Sequence, residues 1–200
     1  NTGLDAATSE WIGFLDDDDE LLPNHFSTLM PAALGAFAKL GNDARLAYAL
    51  AQGVDANGAN TDVYGRSFTR VKFWESTILT IMSAVFHRSL LAEGCRVDES
   101  LALHEDWDFW LQCSQRTGFQ YVEKITSRWH GAEGESGCGF GNNHDHARYV
   151  AAQDIVKRKW AAARDAAIAQ ITEASRQATA ANTAGDLPTA IRLCQFVLRQ

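Results

Sequence analysis

The sequence predicts an α/β domain with a C-terminal helical extension. Three observations carry this. A short apolar run, "WIGFL" (residues 11–15), breaks into acids and is followed by apolar positions at helical spacing. Further apolar segments of strand and helix character follow in turn as far as Trp129. From Ala147 onward alanine dominates and the pattern stays helical. A chain of 200 residues, 46% of them hydrophobic, suffices for one domain with its own core and some extra.

Taken in order, residues 11–15 read as a fully buried strand, central in a parallel sheet. Pro23 suits the first turn of a helix. Phe26, Leu29, Met30, Ala33, Leu34, Phe37 and Leu40 then recur at helical spacing, and Gly41 stops the pattern. The acids between strand and helix therefore occupy a strand-to-helix loop, where ligands bind in open α/β sheets. Residues 46–54 read as a strand, and "DANGANTD" (residues 55–62) as a reversal. For residues 78–86 the period does not separate strand from buried helix. Residues 105–116 read as a helix ended by Gly118, and residues 121–129 as a strand. "HGAEGESGCGFGNNHDH" reads as a Gly-rich mobile loop whose His144 and His146 belong to a lid and a helix start. One long helix is expected from Ala147 to about Thr183, then a turn and a second helix over residues 189–198. The composition shift places a boundary near residue 150, giving domains 1–150 and 151–200. Ala178, Ala181, Gly185, Ala190 and Leu198 give this hairpin a loose resemblance to a tetratricopeptide repeat, whose units stack in arrays. A hairpin packed on the main domain fits equally well.

Net charge is −7, which argues against nucleic acid as a partner. Cys95, Cys113, Cys138 and Cys194 are scattered without a zinc-ligand or disulfide spacing, as in a reduced, cytoplasmic protein. No apolar run reaches the roughly 20 residues of a membrane span, and no signal peptide is read.

"LDDDDELLP" (residues 15–23) carries the chemistry. Adjacent carboxylates repel one another, and three readings compete. A solvated run near a helix N-terminus explains one or two acids. A calcium loop of EF-hand type fails in detail: counted from Asp16, the sixth residue is Leu21 instead of Gly and the twelfth is Ser27 instead of Glu. A hard divalent cation shared with a phosphate ligand accounts for the whole cluster, and Mg²⁺ and Mn²⁺ suit such oxygens.

The same residues resemble family 2 glycosyltransferases of the GT-A fold, in which an apolar strand runs into Asp-x-Asp and a Pro-led helix. Upstream, Asn1, Gly3, Leu4 and Ala7 of "NTGLDAATSEWIGFLD" fit the family's lead-in. Downstream, "SAVFHRSLLAEGCRVDESLALHEDWDFWLQCSQRTGF" fits the stretch that ends in a Glu-Asp pair on an amphipathic helix. The resemblance covers about residues 1–130. It implies a Rossmann-like mixed sheet flanked by helices, with the first βα units and a base-binding Asp expected before Asn1.

The resemblance also implies roles. Asp18 is the direct ligand of Mn²⁺ or Mg²⁺, with Asp16 on the metal or the ribose and His130 closing the shell. Asn1, Asp16, Asp17 and Arg128 face a nucleotide-sugar donor, a UDP-, dTDP- or GDP-sugar. Asp106 is the base of an inverting transfer, and Glu105 orients the acceptor. Trp107 lines the acceptor site, while Trp110 and Leu111 face the core. Asp19 and Glu20 belong to the loop and helix start. The acceptor is a glycan, a lipid-linked saccharide or a protein, met in the cytoplasm or at the inner face of the membrane. Without the resemblance, Glu105 and Asp106 read as ordinary acids of a first helical turn. Two rivals stay open: a nucleotidyltransferase with a similar acidic site, and a non-enzymatic module that binds a protein partner through the C-terminal helices.

Overall fold

The computed structural model of the chain describes residues 1–132, 138–139 and 143–198. In chain order the elements are α1 (Thr2–Ala6), β1 (Trp11–Gly13), β2 (Glu20–Leu21), α2 (His25–Leu40), β3 (Ala44–Val54), β4 (Asn60–Tyr64), α3 (Arg70–Phe73), β5 (Ala84–His87), α4 (Ser89–Ala92), α5 (Glu105–Ser114), β6 (Gly118–Trp129), α6 (His146–Lys159), α7 (Ala161–Thr183) and α8 (Leu187–Leu198). The sheet runs β1-β5-β3-β6-β2, with β4 added on β3. Only β3 and β6 are parallel; every other pairing is antiparallel. This is the mixed sheet flanked by helices that the family resemblance implied, with helices added at the C-terminus.

Strand β3 shows why both faces are covered. Its side chains alternate by the strand period of two. Leu46 and Tyr48 enter the larger core, which α5 supplies with Trp107, Phe109 and Trp110. Ala47 and Ala49 face the other way, against Leu29 and Ala33 of α2. Small residues there bring the helix close to the sheet, and large ones fill the space beneath α5. Strand β5 repeats the division, with Phe86 in the first core and Val85 in the second.

Residues 11–15 depart from expectation. Strand β1 lies at an end of the described sheet and pairs antiparallel with β5, not centrally in a parallel sheet. Its apolar character comes from packing on both faces: Ile12 enters the larger core and Trp11 packs on the α2 side, edge-on to Phe37. Leu15, expected to be buried, is exposed. Pro23 precedes the α2 cap residue Asn24 and stands outside the first helical turn. Gly41 ends α2 at φ 56°, a left-handed value that favours glycine. The ambiguous stretch before His87 divides into a 3₁₀ turn, Ile81–Ser83, and β5.

The long C-terminal helix is two helices. They break at Trp160, whose φ and ψ are −101° and 2°. The break has a packing cause. Trp160 turns into the main core beside Trp74, with ring centroids 5.7 Å apart, and donates its indole N–H to Asp108 at 2.7 Å. Val156 of α6 is buried in that core as well. The composition change near residue 150 thus falls inside a helix tied to the main domain, and the hairpin proper is α7 and α8. Ala174 and Ala178 of α7 and Ala190 of α8 are buried. Cys95, Cys113 and Cys194 are free thiols. No described helix is long and apolar enough to cross a membrane.

Candidate active site

The acid loop follows the carboxyl end of β1. A turn closed by Asp19 N–H on Asp16 O, at 3.3 Å, folds it back on itself. One ligand oxygen from each of Asp16, Asp18 and Asp19 then lies within 4.8 Å of the others. Asp17 is exposed and stays outside this group. The far end of the loop is fastened to β6: Leu22 N–H donates to Thr126 O at 2.9 Å, and the buried His25 ring sits 3.2 Å from the carbonyl and hydroxyl oxygens of Thr126.

Asp19 differs most from expectation. It stands well before α2 and serves no helix terminus. Its carboxylate accepts the backbone N–H of His130 at 3.0 Å. Burial raises its pKa to about 6, aided by Asp18 and Asp16 and opposed by the His130 N–H. Asp16 is raised too, by burial first and then by Asp18, Glu105 and Asp17. Glu20 is likewise not a helix residue. It lies in β2, opposite Arg128 of β6, and pairs with it at 3.1 Å.

The loop forms one side of a cleft of about 530 Å³ that also takes in Glu105, Asp106, His104, Tyr149 and His130. Asp106 sits in the first turn of α5, entered through His104 in a left-handed conformation, φ 61°. Its Oδ1 accepts the Trp107 backbone N–H at 2.6 Å. Even so, its pKa rises to about 7: desolvation dominates, Glu105 adds to it, and Asp16 contributes across the cleft. The structure therefore brings Asp16, Asp18, Asp19, Glu105, Asp106 and His130 into one cleft. His130 gives its backbone N–H to Asp19, and its ring is not a member of the converging ligand group.

Three expected residues lie elsewhere. Trp107 is not among the residues that line the cleft: it is fully buried, and its indole N–H donates to Phe73 O at 2.9 Å. Nearly every residue of α5 beyond its first turn is buried, so helical position alone did not separate it from the core tryptophans. Asn1 does not reach the acid loop. Its side chain accepts Val97 N–H at 3.0 Å and donates to Val97 O at 2.9 Å, fixing the segment before α5. Arg128 is held by Glu20 and is absent from the cleft lining. His146 opens α6, as expected of a helix start, and His144 lines the cleft. Residues 133–137 and 140–142 of the proposed lid lie outside the described residues. Tyr64 and Trp129 line the cleft but were not anticipated, because no spacing in the sequence joins positions so far apart.

Fold and site together define a class: an α/β domain that gathers carboxylates in a cleft at the ends of its strands. The profile of Glycosyl transferase family 2 matches residues 1–94, and this part of the chain is similar to that family. A 38-residue stretch is 55% identical to the GalNAc(5)-diNAcBac-PP-undecaprenol β-1,3-glucosyltransferase of Campylobacter jejuni. That stretch is 19% of this chain and spans 12% of the length of that curated relative.

Proposed function

We propose that this domain transfers a sugar from a nucleotide-sugar donor to a hydroxyl acceptor, with inversion and with the help of Mn²⁺ or Mg²⁺. One observation supports this best: three converging carboxylates and a carboxyl raised to about 7 share a single cleft. Asp16, Asp18 and Asp19 form an all-oxygen donor set, the chemistry that fits a hard divalent cation. Such a cation, when bound, stabilises the charge that grows on the leaving diphosphate.

The chain's own residues supply the rest. Asp106, ionised near neutral pH, accepts the proton of the acceptor hydroxyl. The hydroxyl oxygen bonds to the anomeric carbon as the bond from that carbon to the phosphate oxygen breaks, with the electron pair leaving on the diphosphate. Burial, with Glu105 adding repulsion, keeps the Asp106 pKa near the operating pH, and Glu105 is placed to orient the acceptor. Arg128 reaches donor phosphate only by leaving Glu20, and an exposed pair of this kind costs little to open. The matched relative is named for glucosyl transfer to an undecaprenyl-linked oligosaccharide. By analogy, the acceptor here is a lipid-linked saccharide, reached at the inner face of the membrane.

Calorimetry with Mn²⁺ and UDP-, dTDP- and GDP-sugars tests the proposal. Binding of one donor that needs Mn²⁺ and is lost in Asp18→Ala is expected. Asp106→Asn is expected to keep that binding and lose transfer. Mn²⁺-dependent binding that survives Asp18→Ala would remove Asp18 from the site, and turnover retained by Asp106→Asn would remove the base.

A further inference from the structure

The cleft has an aromatic corner that the proposed chemistry does not use. Tyr64, at the end of β4, and Trp129, at the end of β6, both line it beside Leu79, Ile81 and Met82. Their rings meet edge to face, with centroids 4.6 Å apart and planes at 84°. The sheet sets this arrangement. β3 lies between the two strands, and its Gly53 pairs with Trp129 in the parallel ladder. A side chain at Gly53 would come within 2.7 Å of Tyr64 Cε2, so the glycine is what lets the tyrosine ring lie beside Trp129. These rings differ from the core aromatics. Trp107 and Trp110 are fully buried, whereas Tyr64 and Trp129 are only partly so and face the same space as Glu105 and Asp106.

A pyranose ring matches this corner. It offers a flat array of C–H groups to an aromatic face and a rim of hydroxyl donors to carboxylates. A phosphate placed there would meet the Glu105 and Asp106 carboxyls, with no lysine or arginine among the described residues that line the cleft. We propose that Tyr64 and Trp129 form the platform on which a sugar ring of the acceptor stacks, presenting its hydroxyl to Asp106. The assignment rests on the glycosyl-transfer reading above and adds the acceptor's chemistry to it: the platform takes a saccharide, and an acceptor without a sugar ring gains nothing from it.

The test uses indole ¹H–¹⁵N signals of the full chain, with the Trp129 signal identified by Trp129→Phe. Methyl β-glucopyranoside, methyl N-acetyl-β-galactosaminide and chitotriose are titrated singly, with Mn²⁺ and UDP, dTDP or GDP present. At least one sugar should shift the Trp129 signal saturably while leaving Trp11 and Trp160 in place. Tyr64→Ala should weaken that binding about tenfold; in Trp129→Ala and Trp129→Phe, which lack the reporting indole, calorimetry with the same sugar should show about tenfold weaker binding and retained binding, respectively. Unchanged core signals of Trp107 and Trp110 show that each variant is folded. Intact Mn²⁺-dependent nucleotide binding with no sugar response at Trp129 would overturn the platform. A shift produced by nucleotide alone would also overturn it, giving the ring pair to the donor. Absence of Mn²⁺-dependent nucleotide binding in a protein that also carries the βα units expected before Asn1 would defeat the glycosyl-transfer reading itself, and the platform with it.

Discussion

Asp106→Asn should make the domain more stable, and only at neutral and alkaline pH. The folded carboxyl is raised from 3.8 to about 7 by desolvation, with Glu105 and Asp16 adding repulsion. Between those values the folded state keeps a proton that the unfolded chain has lost, so stability falls as pH rises. The cost starts near the unfolded pKa and is complete above the folded one. At 1.36 kcal/mol per unit it is at most about 4 kcal/mol, and the water that reaches the cleft brings it nearer ~2 kcal/mol. Asparagine has almost the same shape and no charge. The variant should match wild type near pH 4 and exceed it by roughly 4–8 °C in Tm at pH 8.5. The gap should open between those pH values. Thermal scans of both proteins in EDTA across this range measure it. The groups facing Asp106 are shared by the two proteins: Glu105, Asp16, Cys138 and Tyr149 all interact with it electrostatically, and the difference isolates Asp106. A constant Tm difference across the range, or a less stable variant at pH 8.5, would refute the account. A site residue that costs stability where it is ionised is what function at that carboxyl would leave behind.

Other outcomes follow from the same geometry. Asp108 is fully buried and accepts Lys159 Nζ at 2.9 Å, Trp160 Nε1 at 2.7 Å and Gln112 Nε2 at 2.8 Å. Asp108→Ala strands the Trp160 indole N–H, while Lys159 keeps Asp98 at 2.6 Å and Gln112 keeps Arg96 O at 2.7 Å, and should cost about 1–3 kcal/mol in urea unfolding; an unchanged stability would show that α6 is not held this way. Gly53→Ala should cost about 1–3 kcal/mol and displace the Tyr64 ring, seen as a change in the Trp129 indole signal. Mn²⁺ at about 100 times its Kd should stabilise wild type by about 2.7 kcal/mol, and Asp16→Ala or Asp19→Ala should lose most of that gain. A full Mn²⁺ response from Asp19→Ala would return Asp19 to a purely structural role.

Local pattern determined a good deal of this protein. The helical spacing from Phe26 and the stop at Gly41 located α2, the reversal at residues 55–62 located the β3–β4 hairpin, and the acids after "WIGFL" located the loop that holds the site. These depend on neighbours in the chain, and periodicity and turn chemistry are written there. Three features depend on distant partners and were decided only by the tertiary structure. Strand β1 pairs antiparallel with β5 because pairing partners, not its own residues, fix its neighbours in the sheet. Asp19 joins the cluster because β6 delivers the His130 N–H to it from 111 residues away. Trp107 is core and Trp129 is cleft because one carries its indole to Phe73 while the other meets Tyr64 across β3; as tryptophans in apolar stretches they were indistinguishable. The sequence by itself thus determined which carboxylates were available and where the chain turned. Folding decided which of them meet, because burial and convergence are properties of contacts between segments that no single segment encodes.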